Sequence, residues 1–280
     1  METQHIHQKV EELYDGRSEI TKDSAFKKSL VPFSNTILTG LNEGKIRIAE
    51  KTKDEWVVNT WVQKAILLLF TIRELELSHF YSMCYDKIPL KFINYSASDF
   101  IKDKIRIVPG AIIRSGCYIS PGVVAMPSFV NIGAFIGENT MLDTWSTVGS
   151  GAQVGKNVHL SGGAGLGGVL EPIGNNPTII EDDCFIGARS EIVEGVIIKK
   201  GSVLSMGVFI GKSTKIYDRT TRTLIPQGEI PEYSVVVPGT IASAKHSEEQ
   251  DLCQLGAAII IKRVDAQTRS KTSINELLRN

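Results

Sequence analysis

No apolar run in this 280-residue chain is long enough to cross a membrane as a helix. The longest, Ala65–Phe70, falls far short of the about 20 residues such a span needs. The opening Met1-Glu2-Thr3-Gln4-His5 is polar and lacks the apolar segment of a signal peptide. Charge of one sign is missing too. The 31 basic residues are matched by 31 acidic ones, so nothing points to nucleic acid or a membrane surface as partner. Cysteine is scarce: Cys84, Cys117, Cys184 and Cys253 are scattered, with no CxxC spacing. A reduced, cytoplasmic protein is therefore expected. Of the five histidines (His5, His7, His79, His159, His246) only His159 lies in the repeat region described next. A zinc site needs about three N, S or O ligands, so no metal is expected. No Ser–His–Asp or Cys–His grouping stands out for nucleophilic catalysis either.

What is present is a ladder. Ile180, Ile186, Ile192, Ile198, Leu204, Ile210 and Ile216 stand six apart. So do Val130, Ile136, Leu142, Val148, Val154, Leu160 and Leu166, and Ile107, Ile113 and Ile119 begin a third series. Four places after each aliphatic the residue is usually small or β-branched, as at Ala134, Thr140, Ser146, Ala152, Cys184, Ser190 and Ser202. Cys117 and Cys184 occupy this slot and read as core. Six is even, so a strand keeps these residues on one face, yet strands run only about 3–10 residues. The chain must turn repeatedly. Beside the aliphatic stands Asn131, Gly137, Gly149, Gly155, Ser161, Gly167, Gly187 or Gly211, suited to corners with unusual backbone angles. Each hexad is a short strand and a corner, the signature of a parallel β-helix. Three hexads close one coil, and coils stack about 4.8 Å apart.

The register slips by one residue between Ile119 and Val130. It breaks again between Leu166 and Ile180, where Glu171-Pro172-Ile173-Gly174-Asn175-Asn176-Pro177 marks an excursion. A second excursion is expected after Ile216, through Tyr217 to Tyr233, before Val235–Val237 returns to strand. Residues 1–105 differ in texture. Pro32 opens a helix that Asn42-Glu43-Gly44 closes. Ile46, Ile48, Trp56 and Val58 alternate about Lys53-Asp54 as a hairpin. Trp61, Ala65, Leu68, Ile72 and Leu75 follow helical spacing. Ala258–Val264 reads as a strand and Ser273–Arg279 as a short helix, a cap for the open end of the coils. The expected organisation is a mainly β protein. A small N-terminal helical domain with a hairpin spans 1–105, a β-helix 106–240, and a strand/helix cap 241–280.

Gly163-x-Gly165-x-x-Gly168 matches a dinucleotide-binding pattern, but the hexad phase runs through it and no helix follows. These glycines are expected either to leave a flat wall that a thin ligand approaches or to sit at crowded coil corners. A convex prism filled with side chains offers no good pocket in one copy, so the site is expected in a groove between copies. The chemistry left is acyl transfer from a thioester, which needs an amine, a base and a groove for the thiol carrier.

Several strings carry a resemblance. They are Arg106-Ile107-Val108-Pro109, Met126–Ala134, Asp143-Thr144-Trp145, Gly155–Gly163, Gly168-Val169-Leu170-Glu171-Pro172 and Phe185–Glu191, with Arg47–Lys51 and Ser273–Arg279 at the ends. Together the chain resembles the 2,3,4,5-tetrahydropyridine-2,6-dicarboxylate N-succinyltransferases over nearly its whole length. The resemblance implies a homotrimer of left-handed β-helices with active sites between subunits, a handedness that spacing does not reveal. It implies succinyl-CoA as co-substrate, no permanently bound cofactor, and a cyclic imine dicarboxylate as acceptor in lysine and diaminopimelate synthesis. By the same likeness Arg106 and Asp143 match substrate-binding positions and Glu191 an acidic active-site position. Asp143 or Glu191 is then the base, with His159 the rival. Arg106 and Arg189 would hold substrate carboxylates, and Trp145 and Ser161 would line the pocket. Lys199, Lys200, Lys212, Lys215 and Lys245 are candidates for the CoA phosphates, although Lys245–Asp251 is more acidic than the resemblance implies. The competing readings are an acetyl-CoA-dependent hexapeptide acyltransferase, acting on the same acceptor or an amino sugar, and a non-catalytic trimeric scaffold.

Overall fold

The computed structural model describes residues 2–80, 82–242, 253–271 and 277. From Arg106 the chain winds into coils of three two-residue strands joined by corners. Each strand pairs in parallel with the strand one coil on. Phe135 pairs with Gln153, Met141 with His159, and Thr147 with Gly165, always 18 residues later. Three faces result. The first carries Arg106, Val124, Met141, His159, Phe185 and Val203 outward. The second carries Ile112, Phe129, Thr147, Gly165, Glu191 and Phe209. The third carries Tyr118, Phe135, Gln153, Ile179, Ile197 and Glu229. The hexad aliphatics point inward and form one continuous buried column with the small residues. Burial of each Leu or Ile there stabilises the fold by about 1.5–3 kcal/mol. This is the left-handed parallel β-helix that the hexads and the resemblance predict.

The glycines beside the aliphatics are needed for a different reason from the one the sequence suggests. Gly137 and Gly187 do not adopt left-handed backbone angles. A β-carbon at Gly187 would collide with the Ser205 backbone, and one at Gly137 with the Gly155 backbone. Close stacking of coils, not corner geometry, requires glycine there. The left-handed φ values fall two residues further on, at Gly151, Asn157, Gly163 and Gly201 among others.

Ile216 is a correction. Its spacing predicts the next rung of the third face, but Ile230 fills that rung opposite Ile198. Ile216 instead pairs with Ile225 in a hairpin and with Ala258 in the terminal sheet. The chain leaves the coil before Ile216 and returns at Glu229–Ile230. An aliphatic buried in an adjoining sheet keeps the period while the strand has changed partners.

The N-terminal part contains helices Glu2–Asp15, Arg17–Ile20, Ser24–Ser29, Val31–Asn42 and Thr60–Ile72, with a hairpin of Ala49–Thr52 and Glu55–Val58. Its core of Val10, Ile37, Leu41, Ile66 and Leu69 is continuous with Ile132 of the coils. A second hairpin, Glu76–Phe80 with Ser82–Asp86, and the helix Ala97–Asp103 were not expected from the sequence. The 171–177 excursion packs against this part. Gln63, fully buried, donates through Nε2 to the Asn175 carbonyl at 2.9 Å, and its Oε1 accepts from the Gly174 N–H at 2.9 Å. At the far end Ser234–Ala242 and Gln254–Arg263 form an antiparallel pair that extends the first face, and a helix Ala266–Lys271 follows. The strand expected at Ala258–Val264 thus begins earlier. Apart from Leu277, the helix expected at Ser273–Arg279 lies outside the described residues, as does Lys245–Asp251. Among the described residues no helix is long and apolar enough to cross a membrane.

Candidate active site

The corner between the first and second faces gathers most of the site residues named from the sequence. Asp143 follows the inward Leu142, and its N–H donates to the Leu160 carbonyl at 2.9 Å. Its Oδ1 accepts from the Thr144 N–H at 2.7 Å, which fixes the carboxylate. Oδ2 is left facing His159 of the next coil, with Nε2 3.8 Å away. That is too long for a hydrogen bond and short enough for an ion pair if the imidazole is protonated. The His159 ring lies 5.3 Å from that of Phe185 along the first face. Ser161 is buried one coil above Asp143, and its N–H donates to the Ile186 carbonyl at 2.9 Å.

Trp145 and Arg189 hold the same corner in left-handed backbone angles, φ 63° and 58°. Glycine takes the position at Gly110, Gly163 and Gly207, and the Pro127-Ser128 corner has no left-handed residue. An L-residue in this region costs roughly 1–2 kcal/mol. Bulky residues also take left-handed angles away from this corner, at Glu194 and Tyr233. The Arg189 side chain lies over Gly163, where a β-carbon would meet Cδ, Nε and Cζ at 2.8 Å. Glu191 stands on the second face above Gly165, its carboxylate folded over that glycine. Although the residue is exposed, partial burial of the carboxylate pushes its carboxyl above the usual range. Of the two readings of these glycines the crowded one holds: Arg189 covers Gly163, Glu191 covers Gly165, and Gly168 lies against the Gly149–Ser150 backbone.

Spacing between rungs sets what one chain brings together. Asp143 and Glu191 are two rungs apart, about 10 Å along the axis. Arg106 is two rungs from Met141 on the first face, and its strand lies four coils from that of Glu191, about 19 Å. No direct contact between Arg106 and Glu191 of one chain spans that distance. Nor do the candidate lysines meet Asp143. Lys199 pairs with Glu229 at 2.9 Å beyond the third face, and Lys200 lies 3.9 Å from Asp183. The Lys212 N–H donates to Glu194 at the opposite corner, and Lys215 opens the terminal hairpin.

Sequence reasoning missed two features. Around Asp143 and Glu191 the surface is apolar: Trp145, Met206 and Phe209 are 68, 69 and 64 % exposed, with Ile112 on the same face. Arranging the outward residues of each coil in register would have revealed that patch. The second is a polar clamp on the third face. Glu181 accepts from Lys51 Nζ at 2.8 Å, Trp56 Nε1 at 2.9 Å and the Lys200 N–H at 3.0 Å. Arg47 donates to Gln153 Oε1 and stacks 3.5 Å over Phe135. A cleft of about 470 Å³ lies there, and one of about 980 Å³ lies beside the 171–177 excursion; neither includes Asp143 or Glu191. Within one chain those carboxylates stand on an open, convex corner.

Two family models match: tetrahydrodipicolinate N-succinyltransferase N-terminal over residues 5–72, and hexapeptide repeat of succinyl-transferase over 177–212. A 2,3,4,5-tetrahydropyridine-2,6-dicarboxylate N-succinyltransferase of Polynucleobacter asymbioticus is 54% identical over 276 residues, 97% of each chain. Proteins of the same name from Acinetobacter baylyi and the Wolbachia of Brugia malayi are 56% identical over 245 residues and 49% over 281. They are covered to 87% and 100%, and this chain to 86% and 100%. With identity at this level along the whole of a coil whose Asp143 corner has just been described, the chain belongs to the tetrahydrodipicolinate N-succinyltransferase family.

Proposed function

We propose that this protein transfers the succinyl group of succinyl-CoA to the nitrogen of 2,3,4,5-tetrahydropyridine-2,6-dicarboxylate. The products are N-succinyl-2-amino-6-oxopimelate and CoA, in lysine and diaminopimelate synthesis in the cytoplasm. The observation that carries the reading is the Asp143 corner, where one carboxylate is fixed with an oxygen free and a second, Glu191, is raised by burial. Hydration of the imine gives a secondary amine. Asp143 takes the amine proton as nitrogen attacks the thioester carbonyl. The carbon–sulfur bond breaks, and Glu191, whose raised carboxyl retains a proton more readily, gives it to the departing thiolate. The ring carbon–nitrogen bond at the hydrated carbon then breaks, the hydroxyl oxygen becoming the ketone as its proton passes to the amide nitrogen. Arg106 and Arg189 hold the substrate carboxylates, with the planar guanidinium matching carboxylate geometry. Trp145 and Ser161 line the pocket.

The site is completed by a second copy in a homotrimer. Two facts support this: the 19 Å separation of Arg106 and Glu191 within one chain, and the exposed Trp145, Met206 and Phe209 around the corner. Lys199, Lys200, Lys212 and Lys215 then serve the CoA phosphates only from a neighbouring copy. The test offers succinyl-CoA and acetyl-CoA with the cyclic imine and follows thiol release. Preference for succinyl-CoA is expected. Preference for acetyl-CoA overturns the donor assignment, and no release with either overturns the enzyme reading.

A further inference from the structure

We propose that Gly165 is a positioning residue for Glu191. Its missing side chain leaves a niche on the outer face of the coil into which the Glu191 carboxylate folds, towards the Asp143 corner. The inference rests on the reading of Glu191 as an active-site carboxyl.

The second face carries, in order, Ile112, Phe129, Thr147, Gly165, Glu191 and Phe209. Every other residue of this column bears a side chain, so the strand itself does not demand glycine. Nor does the backbone: Gly165 lies outside the left-handed region, whereas Gly163, two residues earlier, has φ 67° and is explained by its corner. What a β-carbon at 165 would strike is not the next coil's main chain, as at Gly137 or Gly187, but both carboxylate oxygens and Cδ of Glu191. The glycine is accounted for by the carboxylate that occupies its place.

The consequence is geometric. A Glu191 side chain extended straight outward would leave its carboxylate two rungs, about 10 Å, above the Asp143 coil. Folded onto Gly165 it drops to the intervening coil, about 5 Å away. The fold-over thus removes one rung of the axial offset between Glu191 and the Asp143 coil. Thr147 and Phe209 flank the niche in the column and carry no charge; Arg189, folded over Gly163, is the cation on the same shelf. Loss of water, with no carboxylate neighbour involved, is thus the cause of the upward shift of the Glu191 carboxyl.

The test is Gly165→Ala, with Glu191→Gln and the double variant. The Glu191 carboxyl is followed by carbon-13 NMR titration, assigned by its absence in Glu191→Gln. In Gly165→Ala the carboxyl should titrate lower, near the ordinary glutamate value of about 4.3. Turnover should fall on the order of 10- to 100-fold, with KM for the acceptor little changed. In the Glu191→Gln background the same alanine should cost less than about twofold. An unchanged titration in Gly165→Ala, or an equal loss of turnover with and without Glu191, overturns the positioning role. If Glu191→Gln turns over normally, the reading of Glu191 as an active-site carboxyl fails, and the titration alone still decides whether Gly165 seats it.

Discussion

Replacing Glu181 with alanine should loosen the N-terminal hairpin. The Glu181 side chain is only 9 % exposed and accepts three hydrogen bonds, from Lys51 Nζ, Trp56 Nε1 and the Lys200 N–H. Loss of the acceptor strands the indole and backbone donors, at about 1–3 kcal/mol each where they stay dry. Lys51 is 41 % exposed and returns to water, so its ion pair adds at most about 1 kcal/mol. The open cleft alongside admits water and lowers the figure, giving about 2–4 kcal/mol for Glu181→Ala. Glu181→Gln keeps one acceptor oxygen and should cost about half. There is also a pH signature. Burial alone would raise the Glu181 carboxyl, but the bonds from Lys51, Trp56 and Lys200 outweigh it and hold the group below its usual range. A depressed folded value means the stabilisation is complete above the unfolded glutamate pKa of about 4.3 and is lost as pH falls through the folded value. The parent should therefore lose stability relative to Glu181→Gln below about pH 4. Urea unfolding at pH 7 and at pH 3.5, with hydrogen exchange of the hairpin amides, reads all of this. Equal stability of Glu181→Ala and parent, or equal cost for alanine and glutamine, would refute the reasoning.

Asp143→Asn should lower turnover by about 10²–10⁴ with folding intact, and Glu191→Gln should do likewise; if only His159→Asn abolishes turnover with binding intact, the carboxylate mechanism is wrong. Cys117 and Cys184 are buried, and burial pushes their thiols up to about 11 and about 12, so an alkylating reagent at pH 8 should leave both unmodified in the native protein and label the exposed Cys253 first. Labelling of Cys184 before Cys253, measured by peptide mass spectrometry, would contradict the packing. Gly187→Ala should destabilise the coils by about 1–3 kcal/mol or more, because its β-carbon meets Ser205 backbone that cannot move aside; a denaturation midpoint equal to the parent's would show that the coils are more loosely stacked than described.

How far the sequence reached depends on the range of each interaction. Inward aliphatics repeat because each must fill the same column, so Leu142, Leu160 and Ile186 announce the coil by spacing alone. The same local rule misplaces Ile216, whose burial comes from Ala258 and Ile225 and not from the rung it appears to continue. The sequence marks Gly187 as a corner glycine, but its reason, the Ser205 backbone one coil away, becomes visible only when coils are stacked. The Glu181 clamp joins residues about 130 positions apart, and Gln63 reaches a loop more than 100 positions on; no periodicity marks either. Of the site, hexad phase allows Asp143 a corner and Glu191 an outward position. Their roles came from the resemblance, and the folding of Glu191 onto Gly165 from the structure. The long axial separation of Arg106 from Glu191 was implicit in the register once each hexad had been assigned to a coil.

That separation makes the central claim, one acyl-transfer site built from two copies, directly testable. Arg106→Ala and Glu191→Gln chains, each inactive alone, should regain succinyl transfer when co-assembled, because some grooves then pair an intact Arg106 with an intact Glu191 from the neighbouring copy. Activity no higher than that of the two inactive parents, in co-assembled oligomers verified by mass, would contradict a shared site.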